Sequence, residues 1–337
     1  DDRRRIMSPP TTHAPSPPPK PGGTPIAPPP RAPQAPPGPA KPTIASFADV
    51  CAPAGTPDRD AVFCAVYGGA GLGKSTFASG APAPFFVPVD PTGTRSIPRS
   101  VPRSATPATW TDLLAIVSFI AAGDHDRKTL VLDTINAIEA LLFAHVCKMH
   151  GAASIEMVLK GYGKGFTVAA EMMAALVSTL HEIRAKRGIN IVGICHAKSR
   201  TQQDPSLPAY DLWTMAVNEK VASVWIGAAD TVIFAQAEAS TRQEGEGFNE
   251  RTKIEHTGRV LAHVRPGLGW IAKNRDFLIS PMALSWAVFE QAMSEGAELR
   301  ERLFSKLDGL TAPARVAAEL RLAAGGWSRE SVENEIK

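Results

Sequence analysis

Residues 68–76 read Gly68-Gly69-Ala70-Gly71-Leu72-Gly73-Lys74-Ser75-Thr76, and the apolar run Val62-Phe63-Cys64-Ala65-Val66-Tyr67 comes directly before them. Gly68, Gly73, Lys74 and Ser75 have the spacing G-x-x-x-x-G-K-[ST] of a phosphate-binding loop. Glycines let the backbone wrap around a phosphate, and the N-terminus of the following helix adds a partial positive charge. We therefore predict that residues 68–76 bind nucleotide phosphates, with Lys74 on the β- and γ-phosphates and Ser75 on Mg²⁺. A glycine-rich turn that carries a lysine by chance is the alternative.

The composition is that of an ordinary globular chain. Its 337 residues are enough for one large or two modest domains, and 44% of them are hydrophobic and 20% charged. The net charge of +3 neither indicates nor excludes a nucleic-acid partner. No apolar run approaches the roughly 20 residues of a membrane helix, and the first residues lack the apolar segment of a secretory signal. We therefore expect a cytoplasmic protein without a membrane partner.

Three regions follow from the distribution of proline and of helical periodicity. Sixteen of the 30 prolines fall in residues 8–42, which cannot bury enough apolar surface to fold. We predict a disordered, proline-rich tail over residues 1–45 and a nucleotide-binding core over residues 46–282. Helical patterns over residues 283–293, 297–307, 312–324 and 328–337 predict a small helical C-terminal extension over residues 283–337.

Within the core, apolar runs alternate with helical patterns. Strands are predicted at residues 61–67, 85–89, 128–133, 189–195 and 229–235, and helices at residues 110–122, 136–150 and 167–187. A hairpin is predicted from residues 259–264 and 270–273. This alternation is typical of an α/β fold with a mostly parallel sheet and helices on both faces.

Polar residues follow three of these strands. Asp90, Asp133 and His196 come at the carboxyl ends, and ligands of such sheets bind at that edge. We therefore expect all three beside the phosphate loop, with Asp133 orienting Mg²⁺. The alternative for Asp133 is a cap on the helix that follows it.

Three polar segments are predicted to be loops. Residues 151–165 carry Lys160, Tyr162 and Lys164, and residues 198–220 begin with Lys198 and include Arg200. The second segment is too long for an ordinary connection, which indicates function or mobility. Residues 238–255 are predicted to be a charged loop.

The order of motifs resembles the RecA-like P-loop ATPases, and most closely the phage nucleotide-binding proteins of the single-strand-annealing, recombination-associated group. The resemblance covers residues 60–281 and rests on six pieces: Gly-Gly-Ala-Gly-Leu-Gly-Lys-Ser-Thr, Leu-Val-Leu-Asp-Thr-Ile-Asn, Lys-Gly-Tyr-Gly-Lys-Gly, Ile-Val-Gly-Ile-Cys-His-Ala-Lys, Ala-Ala-Asp-Thr-Val-Ile-Phe and Ala-Lys-Asn-Arg. It implies an ATP- and Mg²⁺-dependent ATPase that acts on single-stranded DNA in phage-type recombination, annealing or replication. It also implies a homo-oligomer, a single-strand-binding or replication protein as a further partner, and a host-cytoplasm location.

The resemblance also implies roles for individual residues. His196 lies where the family places a sensor of the γ-phosphate, although a packing histidine at a strand end is the alternative. Residues 151–165 and 197–220 match the two DNA-binding loops in position. Their candidate DNA contacts are Lys160, Lys164, Lys198 and Arg200 for phosphates, and Tyr162, Tyr210 or Trp213 for bases.

Two further implications concern catalysis. Lys273 and Arg275 would stabilise the γ-phosphate charge in the neighbouring subunit of an oligomer, although a solvated basic edge strand is the alternative. The family often has a water-positioning glutamate after its second strand, but this chain has Asp90-Pro91-Thr92-Gly93-Thr94 there. Asp90 would have to substitute with a shorter side chain, so hydrolysis is expected to be slow or ATP to serve as a binding switch.

Two other functions stay open on sequence alone. One is an ATP-gated adaptor or helicase-loading partner that recruits a protein through its tail or C-terminal helices. The other is a small-molecule P-loop kinase, for which the loop with Arg95, Arg99 and Arg103 is a poor candidate lid because prolines interrupt it.

Overall fold

The strand that carries the phosphate loop lies in the interior of a mostly parallel sheet. The computed structural model describes residues 61–90, 92–244 and 251–337, and all of them belong to one compact unit. The predicted tail over residues 1–45 and the predicted start of the core at residue 46 lie outside these residues.

Nine strands form the sheet in the described part of the chain. In chain order they are β1 (Phe63–Gly68), β2 (Pro84–Pro88), β3 (Thr129–Asp133), β4 (Asn190–Asp204), β5 (Leu207–Met215), β6 (Thr231–Glu244), β7 (Arg251–His263), β8 (Lys273–Asn274) and β9 (Met282–Ala283). The order across the sheet is β2-β3-β4-β1-β6-β7-β9, with β5 on β4 and β8 on β6. The five strands β2, β3, β4, β1 and β6 are parallel, and the others are antiparallel additions.

Eight α-helices accompany the strands in the described part of the chain. They are α1 (Lys74–Ser79), α2 (Trp110–Ala122), α3 (Ile135–His150), α4 (Lys164–Arg187), α5 (Glu219–Ala228), α6 (Trp286–Asp308), α7 (Ala312–Ala324) and α8 (Arg329–Ile336). Two 3₁₀ segments, Gly93–Ser96 and Ile155–Lys160, follow β2 and α3. Helices α2 and α7 have the predicted bounds, and α8 lies within the helical pattern predicted over residues 328–337, with Ser328 as its N-cap.

Alternate residues of β1 face two separate cores. Phe63 and Tyr67 pack against helices α2 to α5, whereas Cys64 and Val66 pack against α1 and α6. This is the period of two expected of a strand buried on both faces. The structure therefore confirms the mostly parallel sheet with helices on both faces.

Two predicted loops are strands instead. Strand β4 continues past His196 to Asp204 and forms a ribbon with β5, so residues 198–215 are a β-hairpin. Strand β6 runs to Glu244 and pairs with β7, which begins at Arg251, so most of the predicted loop over residues 238–255 is wrong. The β4–β5 ribbon lacks the apolar alternation of a half-buried strand because polar residues, among them Arg200 and Gln202, occupy its less exposed positions.

Three smaller predictions are also corrected. Helix α5 was not predicted, and α4 begins at Lys164, which places Lys164 in a helix and not in the loop. Strand β8 pairs with β6 and not with β7, so the predicted hairpin of residues 259–264 and 270–273 does not form.

Helix α6 is one continuous helix, although the sequence predicted two. The predicted break contains Gly296, but a Cβ atom there would lie 1.9 Å from the carbonyl oxygen of Asp276. Gly296 therefore allows the helix to approach the chain closely instead of ending it. The first half of α6 contributes Trp286, Phe289 and Ala292 to the second core, while Leu299, Leu303 and Leu307 pack with α7 and α8.

Helix α4 is the one described helix that is long and apolar enough to cross a membrane by length and composition alone. Its buried side chains, which include Met173, Leu176 and Leu180, pack in the first core. The core helix of a globular protein has the same composition, so this helix gives no support to a membrane partner.

The packing of α6 gives a stability test with a matched control. Phe289 is 1% exposed and contacts Phe77 and Trp286, whereas Phe304 on the same helix is 52% exposed. We expect Phe289→Ala to lower the free energy of unfolding by about 3–5 kcal/mol, because it removes a buried ring and leaves a cavity. Phe304→Ala should cost less than about 1 kcal/mol. Urea denaturation measures both, and equal costs would contradict the assignment of α6 to the core of the sheet.

Candidate functional site

The phosphate loop joins β1 to α1 through backbone conformations that favour glycine. Gly71 and Gly73 have φ values of 78° and 77°, in the left-handed region. A Cβ atom on Gly68 would lie 2.4 Å from the carbonyl oxygen of Ala235 on the neighbouring strand. Glycine is therefore required at these positions by the close approach at Gly68 and by the turn at Gly71 and Gly73.

Lys74 lies at the base of the loop and is only 6% exposed. Its ammonium group donates hydrogen bonds to the carbonyl oxygens of Gly68, at 3.0 Å, and Gly69, at 2.6 Å. Burial lowers the pKa of Lys74, and the nearby carboxylate of Asp133 opposes this change. An anion bound in the loop would compensate the buried charge.

Asp133 and Ser75 meet across the sheet. Ser75 Oγ donates a hydrogen bond of 2.8 Å to Oδ2 of Asp133, which is 2% exposed. The cap of α3 is Thr134, whose hydroxyl accepts the N–H of Ala137, so the alternative role of Asp133 as the helix cap is wrong. Burial raises the pKa of Asp133, and the Ser75 hydrogen bond opposes the rise.

A cavity of about 260 Å³ connects these groups with Asp90 and His196. The cavity is lined by residues 71–76 of the loop and by Asp90, Thr92, Gly93, Asp133, Thr134, Ile194 and His196. The structure thus brings the phosphate loop and all three predicted strand-end residues to one cleft. It does so because the carboxyl ends of β1, β2, β3 and β4 lie at the same edge of the sheet.

Asp90 is held by a residue that sequence reasoning missed. The carboxylate accepts the backbone N–H of Thr92 at 2.9 Å and the Thr92 hydroxyl at 2.7 Å. These hydrogen bonds lower the pKa of Asp90, so Asp90 and the buried Asp133 have pKa values shifted in opposite directions. They are the two carboxylates that line the cleft in the described part of the chain. An Asp-x-Thr spacing was the signal that could have identified Thr92.

His196 lines the cleft from the continuous strand β4. Its backbone N–H donates to Oδ1 of Asn136 at 2.8 Å, and its carbonyl accepts the N–H of Ala216 at 2.8 Å. Its position between the cleft and the β4–β5 ribbon matches the expected sensor position, and the sensor role itself stays a prediction. Asn136 carried no signal in the sequence, because its partners lie 60 and 80 residues away.

Residues that could hold Mg²⁺ are present in the cleft. The Ser75 hydroxyl and the Asp133 carboxylate are oxygen ligands of the kind Mg²⁺ prefers, and their contact shows that both can reach one ion. No cluster of three or more His, Cys, Asp or Glu side chains suited to a metal occurs among the described residues. A Mg²⁺ ion held by Ser75 and Asp133 would take its remaining ligands from nucleotide phosphates and water, as is usual for this ion.

The candidate DNA-binding residues divide into two groups. Tyr162 is 95% exposed, and Lys160 and Lys164 beside it are exposed as well. In the ribbon, Lys198 donates to the carbonyl oxygen of Val217 at 2.7 Å, and Arg200 forms an ion pair with Glu219. The first group is therefore available to a ligand, whereas the second already has protein partners.

Lys273 and Arg275 lie away from the cleft of their own chain. Lys273 pairs with Val232, level with Ala65 of β1, and its ammonium donates to the carbonyl oxygens of Ile226 and Gly227 at 2.8 Å each. Arg275 is 57% exposed and lies 3.7 Å from Asp230. Their proposed action on a neighbouring subunit stays a prediction, and Lys273 has a local role as a partner of the α5 C-terminus.

The buried charge of Asp133 predicts an unusual pH dependence of stability without ligands. The pKa of Asp133 is raised in the folded state, so between the ordinary pKa of an aspartate and this raised pKa the folded protein holds a proton that the unfolded chain has lost. The free energy of unfolding therefore falls as the pH rises through this range. Asp133→Asn should abolish this fall and be more stable than the wild type at neutral pH.

Chemical denaturation between pH 4 and pH 8, without Mg²⁺ or nucleotide, measures this effect. The control is Asp90→Asn, for which the opposite sign is expected because hydrogen bonds lower the pKa of Asp90. A less stable Asp133→Asn variant at neutral pH would contradict the prediction.

Comparison with known families agrees with this geometry. The profile of the AAA domain family AAA_24 matches residues 61–276, a range that runs from β1 past β8 and contains every group that lines the cleft. None of the curated proteins matches the chain. The match covers more than half of the chain, so the protein belongs to this family of AAA domains and carries a nucleotide-binding domain of the P-loop ATPase type.

Proposed function

We propose that this protein is an ATP- and Mg²⁺-dependent ATPase that acts on single-stranded DNA in phage-type recombination, annealing or replication, in the host cytoplasm. The observation that carries the proposal is the meeting of Lys74, Ser75, Asp133 and His196 in one cleft. These side chains supply a cation, a hydroxyl and a carboxylate for a metal, and a hydrogen-bonding group for a terminal phosphate.

The space around the loop fits a whole nucleotide. The cleft with Asp133 suits the metal and the γ-phosphate, while a second cavity of about 560 Å³ lies against the same loop residues Gly71, Gly73 and Thr76. This second cavity is lined by Leu72, Arg259, residues 260–261 and residues 281–284. A nucleotide whose phosphates follow the loop would place its sugar and base there, against apolar side chains and one guanidinium group.

Asp90 supports slow hydrolysis. Its lowered pKa keeps the carboxylate charged at neutral pH, and Thr92 fixes its orientation. A charged carboxylate in the cleft can accept a hydrogen bond from an attacking water, but the Asp side chain is one methylene shorter than Glu. We therefore propose that binding and release of ATP, more than rapid turnover, control the protein.

The segment of residues 159–163 supports the proposed DNA contact. All five residues have positive φ values: 53° at Leu159, 67° at Lys160, 88° at Gly161, 57° at Tyr162 and 71° at Gly163. Non-glycine residues rarely adopt this conformation, and such strain concentrates at functional sites. The conformation presents an exposed aromatic ring between Lys160 and Lys164, which is the combination that stacks on bases and contacts the DNA backbone.

A homo-oligomer is part of the proposal. Arg275 is the better candidate for a contact with a neighbouring nucleotide, because it is more than half exposed while Lys273 is engaged by α5. The guanidinium group of Arg275 lies 3.7 Å from Asp230 but is exposed enough to reach a second copy, and oligomers of P-loop domains use arginine in this way.

An ATP-gated adaptor that loads a replication or single-strand-binding protein is the second candidate. Val316 and Leu320 are 56% and 66% exposed, lie four residues apart on α7, and precede Trp327, which is 41% exposed. An exposed apolar face of this kind favours a protein partner. The kinase alternative gains no support, because Pro102 and Ser104 hydrogen-bond to Phe86 and hold the arginine-bearing segment against β2.

The proposed nucleotide site predicts that the affinity for Mg·ATP depends on the lysine of the phosphate loop and not on lysines elsewhere. Lys74→Ala should lower the affinity for Mg·ATP by at least about tenfold, because it removes the buried cation that faces the β- and γ-phosphates. Lys186→Ala is the control, since Lys186 is exposed and pairs with Glu182 one turn away on the same helix. Isothermal titration calorimetry measures both, and normal ATP binding and hydrolysis by Lys74→Ala would end the proposal.

The proposed DNA contact predicts that removal of the Tyr162 side chain weakens the binding of single-stranded DNA, whereas removal of another exposed aromatic side chain does not. Tyr162→Ala should weaken binding of a single strand by about 1–3 kcal/mol, the cost of one lost base stack, and leave ATP binding unchanged. Trp327→Ala, which removes another exposed aromatic ring, is the control. Fluorescence anisotropy of a labelled oligonucleotide at low salt, with and without ATP, measures the affinity. Absence of binding by the wild type at high micromolar concentration would favour the adaptor.

A further inference from the structure

One amide side chain links the nucleotide cleft to the base of the β4–β5 ribbon. Asn136 is the second residue of α3, three positions after Asp133. Its Oδ1 accepts the N–H of His196 at 2.8 Å and the thiol of Cys195 at 3.2 Å, while its Nδ2 donates to the carbonyl oxygen of Ala216 at 2.6 Å. The side chain therefore holds the end of β5 and the histidine that lines the cleft at the same time.

The surrounding contacts close this connection. The N–H of Ala216 donates to the carbonyl oxygen of His196, so the two residues are joined both directly and through Asn136. One turn further along α3, Glu139 accepts the N–H of Asn218 at 2.7 Å, at the start of α5. Helix α3, which begins beside Asp133, thus binds both ends of residues 216–218, the segment that follows the ribbon.

The phosphate-loop strand holds the same ribbon through a second set of hydrogen bonds. The hydroxyl of Tyr67, the residue before Gly68, lies 3.1 Å from the carbonyl oxygen of Trp213 and 2.6 Å from that of Ile271. Strand β5 is therefore anchored by residues next to both the phosphate loop and Asp133. An isolated two-stranded ribbon is only marginally stable in water, so these anchors determine how well it is ordered.

We propose that Asn136 is a positioning residue that couples occupancy of the nucleotide cleft to the order of the β4–β5 ribbon. The inference rests on the proposed binding of ATP in this cleft. A phosphate that engages His196 shifts the peptide held by Asn136, and the same amide passes the shift to Ala216. Coupling of this kind is a difference in free energy between the ligand-bound and ligand-free states of the ribbon, transmitted through hydrogen bonds.

Hydrogen exchange measured by mass spectrometry tests the coupling on the full chain. Peptides that cover residues 197–215 should exchange at least about threefold more slowly in the wild type when Mg·ATP is bound. In Asn136→Ala and in Asn136→Asp, each measured at a concentration of Mg·ATP that saturates the variant, this ATP-dependent difference should disappear. Asn136→Asp is nearly isosteric and keeps an acceptor for His196, but it places an oxygen against the Ala216 carbonyl, so it remains informative if Asn136→Ala does not fold.

The matched control is Asn190→Ala. Asn190 also joins separate strands, since its Oδ1 accepts the N–H of Val62 and its Nδ2 donates to Thr129, but it lies at the opposite edge of the sheet. A residue with only a structural role would behave as Asn190 does, so the control should keep the full ATP-dependent protection of the ribbon.

The outcomes distinguish a failure of the proposed function from a failure of the inference about Asn136. A wild type that does not bind Mg·ATP overturns the proposed function and this inference with it. A wild type that binds Mg·ATP without a change in the ribbon, or an Asn136→Asp variant that keeps the change, overturns the inference alone.

Discussion

The hydrogen bond between Ser75 and Asp133 joins the first turn of α1 to the end of β3, and β1, the strand that leads into α1, is not a neighbour of β3 in the sheet. Strand β4 lies between β1 and β3, so the contact forms only if all three strands are in register and their carboxyl ends are level. Phe63 pairs with Ile191 and Leu130 pairs with the same residue, which fixes that register. The buried carboxylate is costly without a partner, and the site therefore depends on the whole central sheet and not on the loop alone.

The electrostatics of the cleft follow from this placement. Lys74 is buried with its charge directed at the loop carbonyls, and Asp133 is buried with its charge directed at Ser75. Both pKa values are shifted towards the neutral forms, so burial opposes the charged state of each group. A metal ion and a triphosphate would supply the missing opposite charges. The charged forms of Lys74 and Asp133 are therefore less stable in the protein alone than they would be with the proposed ligand bound.

The two faces of the sheet have different relations to the site. Helix α3 begins at Ile135, two residues after Asp133, and reaches the β4–β5 ribbon through Asn136, whereas α1 and α6 fill the opposite face. The segment with Tyr162 precedes α4, whose first turn contacts α5 through Thr167 and Lys220. The proposed DNA contact, the ribbon and the cleft are therefore connected through the helices of one face.

The sequence by itself determined the phosphate loop, the parallel sheet with helices on both faces, and the convergence of Asp90, Asp133 and His196, since each follows from local periodicity and a rule about strand ends. It did not determine the two ribbons, because their polar residues lack alternation and their pairing is decided by strands elsewhere in the sheet. The sequence also predicted a helix break at Gly296. This glycine instead allows α6 to approach Asp276 closely, a contact that no local pattern indicates. Only the tertiary structure could show that Asn136 and Tyr67 organise the site, because both bind mainly backbone groups, and backbone groups are the same in every sequence.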